Sequence, residues 1–136
     1  MNVRFGVSFD PELLKKFDKL IKEKGYPNRS EALRDLVRKA LVEEEWKKGK
    51  EVVGVLVIVF SHEKRGLSSR LLDQEHHHYR EILSTLHIHL DRENCLEATV
   101  LRGRPEKVKE IAEKIIATKG VKYGVLVPAT YGKEIK

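Results

Sequence analysis

The chain opens on a strict alternation. Val3, Phe5, Val7 and Phe9 fall on one side of an extended backbone, and Arg4, Gly6 and Ser8 on the other. This predicts a half-buried strand, and nothing that follows directly can complete it. Asp10-Pro11 starts a helix, with Asp10 as cap and Pro11 in the first position. Leu13, Leu14, Phe17, Leu20 and Ile21 give that helix its apolar face, and Gly25-Tyr26-Pro27 ends it. Asn28, with Glu31 three residues on, reads as a capping box. The second helix turns Ala32, Leu33, Leu36, Val37, Ala40 and Leu41 inward, and the charged stretch Glu43–Lys50 predicts a frayed linker. One strand and two helices in about 45 residues bury too little surface to stand alone, and the strand leaves an open edge. Two chains that pair their first strands antiparallel solve both problems. Val3, Phe5, Val7 and Phe9 then close a shared core, and Arg4, Gly6 and Ser8 of both chains line the outer face of the ribbon.

A different pattern follows. Val52–Phe60 is nearly all apolar, as in a covered strand. Helical spacing runs from Gly66 to Leu83, Thr85–Leu90 alternates, Asp91–Asn94 reads as a turn, and Leu96–Leu101 is another strand. Pro105 opens a helix carrying Val108, Ile111, Ala112, Ile115 and Ile116; Gly120 fits a left-handed cap, and Val121–Val127 is the last strand. The order β-α-β-β-α-β is the ferredoxin-like pattern. The expected fold class is therefore α+β, a βαα unit over residues 1–48 and a βαββαβ unit over 51–136.

Composition narrows the function classes. No apolar run in the 136 residues is long enough to span a bilayer, and the first residues do not look like a secretory leader. The single cysteine argues against a disulfide framework, so a cytoplasmic protein is expected. The net charge is +6; residues 1–50 carry 13 Lys and Arg against 9 Asp and Glu, a slight lean towards a polyanion partner at the front. No phosphate-cradling glycine loop or nucleophile triad is present, so no enzyme is expected.

Metal-binding residues cluster in the second unit. His87 and His89, two apart on a strand, project from one face, and the turn at Asp91–Asn94 brings Cys95 alongside. Two imidazoles and a thiolate suit zinc, copper, nickel or cobalt, with geometry left open. Glu97 shares the Cys95 face and can orient a ligand imidazole. In the run His76-His77-His78, the stripe Leu72, His76, Tyr79, Leu83 puts His76 on the packed side; Leu71, Glu75, His78, Ile82 is the rival stripe. Periodicity does not say whose site His76 reaches. His62, in a basic loop with Glu63, Lys64 and Arg65, reads as solvated or as touching phosphate.

Taken together, Asn28-Arg29-Ser30-Glu31-Ala32 with Arg34-Asp35, His62-Glu63-Lys64-Arg65, His76-His77-His78, Leu86-His87-x-His89, Asn94-Cys95-Leu96-Glu97 and Lys119-Gly120-Val121-Lys122 carry a resemblance over nearly the whole chain. The chain resembles the nickel-responsive ribbon-helix-helix repressors of the NikR family. That resemblance implies an N-terminal ribbon-helix-helix DNA-binding domain and a C-terminal ACT-type domain that forms a homotetramer. It implies nickel(II) held in a planar site by His87, His89 and Cys95 with His76 of another subunit, and repression of nickel-uptake genes. It further implies a cation site at Glu31 and Asp35. Members often carry threonine where this chain has Gly6 and Ser8, and histidine at Tyr79 and Tyr123 in some or many cases. A two-stranded ribbon fits the major groove, so Arg4, Gly6 and Ser8 are the expected base-facing residues of operator DNA, with Arg4 the expected reader, since a guanidinium can pair bidentately with guanine. Asn28, Arg29 and Ser30 lie where a helix N-terminus can hold phosphate, and Lys64 and Arg65 where they can meet the DNA backbone. The competing class is an ACT-type sensor or buffer for zinc or copper that binds no DNA.

Overall fold

The computed structural model describes all 136 residues. They form two compact units, Met1–Ala40 and Leu41–Lys136. The elements are α1 (Pro11–Lys24), α2 (Arg29–Lys47), β1 (Val52–Ser61), α3 (Leu67–His77), β2 (Ile82–His89), β3 (Asn94–Gly103), α4 (Pro105–Ile116) and β4 (Val121–Pro128).

In the first unit the caps form as their residue types require. The Asp10 carboxylate accepts from the N–H groups of Glu12 and Leu13 at 2.9 and 3.3 Å, and Gly25 closes α1. Asn28 Oδ1 accepts from the Glu31 N–H at 2.9 Å, but the Glu31 carboxylate turns to Arg34, so only half of the capping box is made. The expected first strand is not one in the single chain: Met1–Asp10 joins no helix or sheet. A strand exists only through its ladder, and this segment has no backbone to pair with. Val3, Phe5 and Val7 of its apolar side are left bare, with Phe5 80% exposed, and only Phe9 finds a partner, stacking on Phe17 with ring centroids 5.7 Å apart. Only Ile21 and Ala32 are buried in this unit, while Val3, Val7, Leu13, Leu20, Leu36 and Val37 are exposed.

The charged stretch after Glu43 is not a frayed linker. Helix α2 continues to Lys47 because Trp46 has somewhere to go. Its ring is buried, its indole N–H donates to the Ala129 carbonyl at 3.0 Å, and Gly54 leaves room for the ring edge where a Cβ would lie 2.9 Å away. Charge pattern alone hid a single aromatic anchor.

The second unit is a four-stranded antiparallel sheet in the order β2-β3-β1-β4, with the βαββαβ connectivity expected. Alternation divides its faces. Val52, Leu56, Ile58, Phe60, Cys95 and Leu101 are buried with Leu67, Leu71, Val108, Ile111, Ala112 and Ile115 of the helices in one core. Gly124 lets α4 lie close, since a Cβ there would be 2.5 Å from Ile116 Cγ1. Cross-strand register puts Val55, Val57, Val59, Leu86, Ile88, Tyr123, Val125 and Val127 on the opposite face. That face is apolar and uncovered, and Leu86, Ile88, Tyr123, Val125 and Val127 are all exposed.

Two boundaries differ from the sequence expectation. Helix α3 stops at His77 rather than Leu83, because the His78 carbonyl accepts from the N–H groups of Glu81 and Ile82 in a turn, and β2 starts at Ile82 with a register shift before Ser84. The apolar pair Ile82-Leu83 fits either period, and pairing with β3 decides it. Gly120 does not cap α4, which ends at Ala117 in ordinary helical geometry. With φ at 104°, Gly120 instead turns the chain into β4, at a point where a Cβ would meet Leu67 Cδ2 at 2.8 Å.

Candidate metal centre and nucleic-acid face

Strand register builds the metal centre. On β3, Cys95 pairs with His89 of β2 on one side and Phe60 of β1 on the other, and Glu97 pairs with His87. Opposite residues on one face bring their Cβ atoms to about 5 Å, within reach of side-chain contact. His89 Nδ1 accordingly lies 3.4 Å from Cys95 Sγ, and His87 Nδ1 lies 3.1 Å from Glu97 Oε1. The two imidazole centroids are 5.1 Å apart. Glu97 accepts from the Nδ1–H of His87, so the free lone pair of that ring is on Nε2. The Cys95 sulfur is fully buried, and burial, then the nearby Glu97 and Asp91 carboxylates, push its thiol pKa up. A cation at the sulfur would reverse that effect by stabilising the thiolate.

His62, read from the sequence as solvated or as touching phosphate, lies beside the metal-ligand candidates. It follows β1 directly, where Ser61 pairs with Asn94 and the His62 N–H donates to the Glu93 carbonyl at 3.0 Å. Its Nδ1 sits 3.4 Å from Cys95 Sγ. The donor atoms of His62, His89 and Cys95 all lie within 4.8 Å of one another. The missing signal was the pairing of β1 with β3, which carries the residue just past β1 to the start of β3.

His76 lies elsewhere. Along α3 and the turn after it, Leu71 and His78 are buried and Glu75 and Ile82 half-buried, whereas Leu72, His76, Tyr79 and Leu83 are exposed. The expectation of a packed His76 is therefore corrected: the rival stripe won because Leu71, with Leu67, fills the core beneath α3. His76 is not among the residues that converge within the chain. Its neighbour Glu75 reaches Glu97. Burial first, then the Glu97 charge and a hydrogen bond to it, push the Glu75 carboxyl up to about 7. The donors present, one thiol and a set of imidazoles, match the ligand preferences of nickel(II) among other borderline ions.

The nucleic-acid candidates are on the surface. Arg4, Gly6 and Ser8 lie in the unpaired N-terminal segment, all exposed. At the start of α2, Asn28 is engaged as cap and Arg29 forks onto Asp18 through Nε and a terminal nitrogen at 2.9 and 2.8 Å, while Ser30 is exposed. Lys64 and Arg65 are exposed in the loop after β1. Glu31 pairs with Arg34, and Asp35, one helical turn on, accepts from the Tyr26 hydroxyl and pairs with Lys39 at 3.2 Å.

A helix pair behind an extended, unpaired segment, followed by a ferredoxin-like sheet that carries a histidine–cysteine centre, fits a class of metal-binding regulators. Residues 53–128 match the family described as the NikR C terminal nickel binding domain, and residues 3–44 match the ribbon-helix-helix proteins of the copG family. The chain belongs to the NikR family, one of nickel-binding regulators and not of enzymes. A protein named "Putative nickel-responsive regulator" from Geobacter metallireducens is 54% identical over 98% of this chain and 96% of its own. Proteins of the same name from Thermococcus onnurineus and Pyrococcus furiosus are each 50% identical, over 97% and 98% of this chain and 96% and 97% of theirs. An uncharacterised protein of Thermotoga maritima superposes on 60% of this chain and all of its own with a TM-score of 0.54 at 17% identity, a likeness of fold. No helix is long and apolar enough to cross a membrane.

Proposed function

We propose that this protein is a transcriptional repressor that binds operator DNA of nickel-uptake genes when nickel(II) is bound, working in the cytoplasm as a homotetramer. The observation that carries the reading is the donor set on β2 and β3, with His87, His89 and Cys95 side by side on a chain whose N-terminal unit is a ribbon-helix-helix. Residues 1–48 read DNA and residues 51–136 bind metal and tetramerise. His87, His89 and Cys95 hold nickel(II) together with His76 from a second copy of the chain. The exposure of His76 supports that assignment, since a solvated imidazole is available to a neighbour. Nickel, when bound, supplies a cross-link between subunits. Glu97 keeps His87 in the tautomer that offers Nε2.

Two uncovered surfaces support the assembly. Val3, Phe5 and Val7 are exposed in one chain and become core when two N-terminal segments pair, and each such side chain contributes roughly 1.5–3 kcal/mol when fully buried. The bare sheet face around Val57, Leu86 and Val125 has the same need of a cover. The paired strands then present Arg4, Gly6 and Ser8 twice to the major groove, with Asn28, Arg29 and Ser30 at the helix start and Lys64 and Arg65 against phosphate. Metal and DNA affinities are linked, so each must strengthen the other by the same factor.

The test is selection of duplexes from a random pool by the purified protein, with and without nickel(II). Enrichment of a two-fold symmetric sequence only with nickel is expected. A pool that stays random under both conditions would remove DNA from the function and leave a metal buffer.

A further inference from the structure

We infer that Trp46 is a positioning residue for DNA recognition: it holds the last turns of α2 helical on the second unit, so that a continuous helix joins metal binding to DNA reading. Helix α2 runs from Arg29 to Lys47, and the boundary between the two compact units falls inside it, after Ala40. Its last turns have little of their own to keep them helical. Glu43, Glu44 and Glu45 place three carboxylates near a helix C-terminus, where the macrodipole disfavours anions. The exposed pairs of Glu44 with Lys47 and Lys48, at 3.9 and 3.6 Å, return little. Trp46 supplies what is missing: its ring is buried in the core of the second unit, and Val42, one turn earlier, packs against the same core. The slot that receives the ring is shaped for it. Gly54 keeps a negative φ, so its backbone asks for no glycine, and glycine weakens a strand interior. What bars a side chain there is the indole, with Cη2 at 2.9 Å and Cζ2 at 3.3 Å from a Cβ, together with the tip of Leu126. The Ala129 carbonyl that accepts the indole N–H is itself fixed, because the Ala129 N–H donates to the Val53 carbonyl at 2.8 Å.

The role in DNA recognition rests on the repressor reading proposed above. Strand β1 carries the slot near one end, at Val53 and Gly54, and near the other pairs Phe60 with Cys95 of the metal centre. Helix α2 carries Trp46 near one end, and Arg29 and Ser30, expected at phosphate, at the other. An arrangement of the second units that nickel selects reaches the DNA only as far as the connection keeps its shape. A melted connection lets each reading unit sample many positions, which lowers the effective concentration of the second beside its half-site. It also leaves nickel with little differential effect on DNA. Release of the ring therefore uncouples the two functions while sparing metal binding.

The experiment uses the full chain as wild type, Trp46→Ala, which removes the ring, and Gly54→Val, which fills its slot and leaves α2 untouched. Trp46 is the one tryptophan of the chain, so a red shift of the emission in Gly54→Val reports that the ring has left. Three quantities are compared: nickel(II) affinity by chelator competition, amide exchange over residues 41–47, and affinity at fixed salt for a duplex selected by the wild type, with and without nickel. Both variants are expected to keep nickel affinity and to exchange faster over residues 41–47. The ratio of DNA affinities with and without nickel should fall at least about fivefold in both. Slow exchange in Trp46→Ala would show that the helix end does not need the ring, and would overturn the inference. An undiminished ratio in Trp46→Ala, or in a red-shifted Gly54→Val, would overturn it as well. Loss of nickel affinity in both variants would make Trp46 a core residue of the metal-binding fold and remove the coupling role. A wild type whose DNA affinity ignores nickel would instead sink the repressor reading, and the coupling role with it. A responsive wild type beside equally responsive variants would strike the coupling role alone.

Discussion

At the scale of single residues, Cys95 joins burial to chemistry. Its thiol is held protonated by burial and by the Glu97 and Asp91 carboxylates, and a metal must displace that proton. The sign follows directly: proton and metal compete, so affinity rises with pH for as long as the thiol is protonated. Apparent nickel affinity, measured by chelator competition between pH 6 and pH 8, should rise about tenfold per pH unit for this proton alone. Cys95→Ser should keep the fold and lose that slope together with the thiolate-to-nickel charge-transfer band; a variant with wild-type nickel affinity would take Cys95 out of the site. Arg4 belongs to the other function. Arg4→Ala should weaken specific DNA binding by roughly 1–3 kcal/mol, the scale of one bidentate base contact, with nickel uptake unchanged. Fluorescence anisotropy on a selected duplex, at fixed salt, checks it.

At the scale of elements, packing depends on close approaches and on one proton. Helix α4 lies against β4 only because residue 124 has no side chain. Gly124→Ala drives a Cβ into Ile116 and should destabilise the second unit by about 1–3 kcal/mol, read as a lower urea midpoint at unchanged slope. The docking of α3 should depend on pH through Glu75. Its carboxyl is raised from about 4.5 to about 7 in the fold, so the stabilisation is complete below the ordinary value and is lost as pH rises through about 7. Hydrogen exchange of α3 amides, corrected for intrinsic rate, should therefore speed up between pH 5 and pH 8 in the metal-free protein. Glu75→Gln stays neutral and should flatten that dependence; an equally steep profile in the variant would assign it to another group.

At the scale of the whole molecule, the single chain leaves open what a second copy can close. The N-terminal segment lacks a paired strand, and the outer sheet face lacks a cover. A centre with ligands from two chains gives a small ion leverage over their arrangement, because its binding then differs between quaternary states. Subunit mixing tests this. His76→Ala and Cys95→Ala proteins should each lack high-affinity nickel, and should recover part of the charge-transfer band when unfolded and refolded together, with mixing verified by mass. A mixture that matches the sum of its parts would mean that His76 serves its own chain, and the shared centre would have no basis.

Most of the local structure was legible in the residues. Period and punctuation determine α1, α4 and the four sheet strands to within a few residues, since Asp10, Pro11, Gly25 and Pro105 act on their own neighbours. The pair His87 and His89, with Cys95 across the turn, was equally visible, because a two-residue period and a hairpin are local geometry. What lay beyond sequence was every choice between two faces or two periods. Trp46 made a charged tail helical, β3 drew Ile82 and Leu83 out of a helix, and the core beneath α3 took Leu71 and His78 in preference to Leu72 and His76. His62 became a metal-ligand candidate only because β1 pairs with β3. Periodicity ranks the faces of one element at a time, whereas burial is settled by the partner that the face meets, and that partner is distant in the chain.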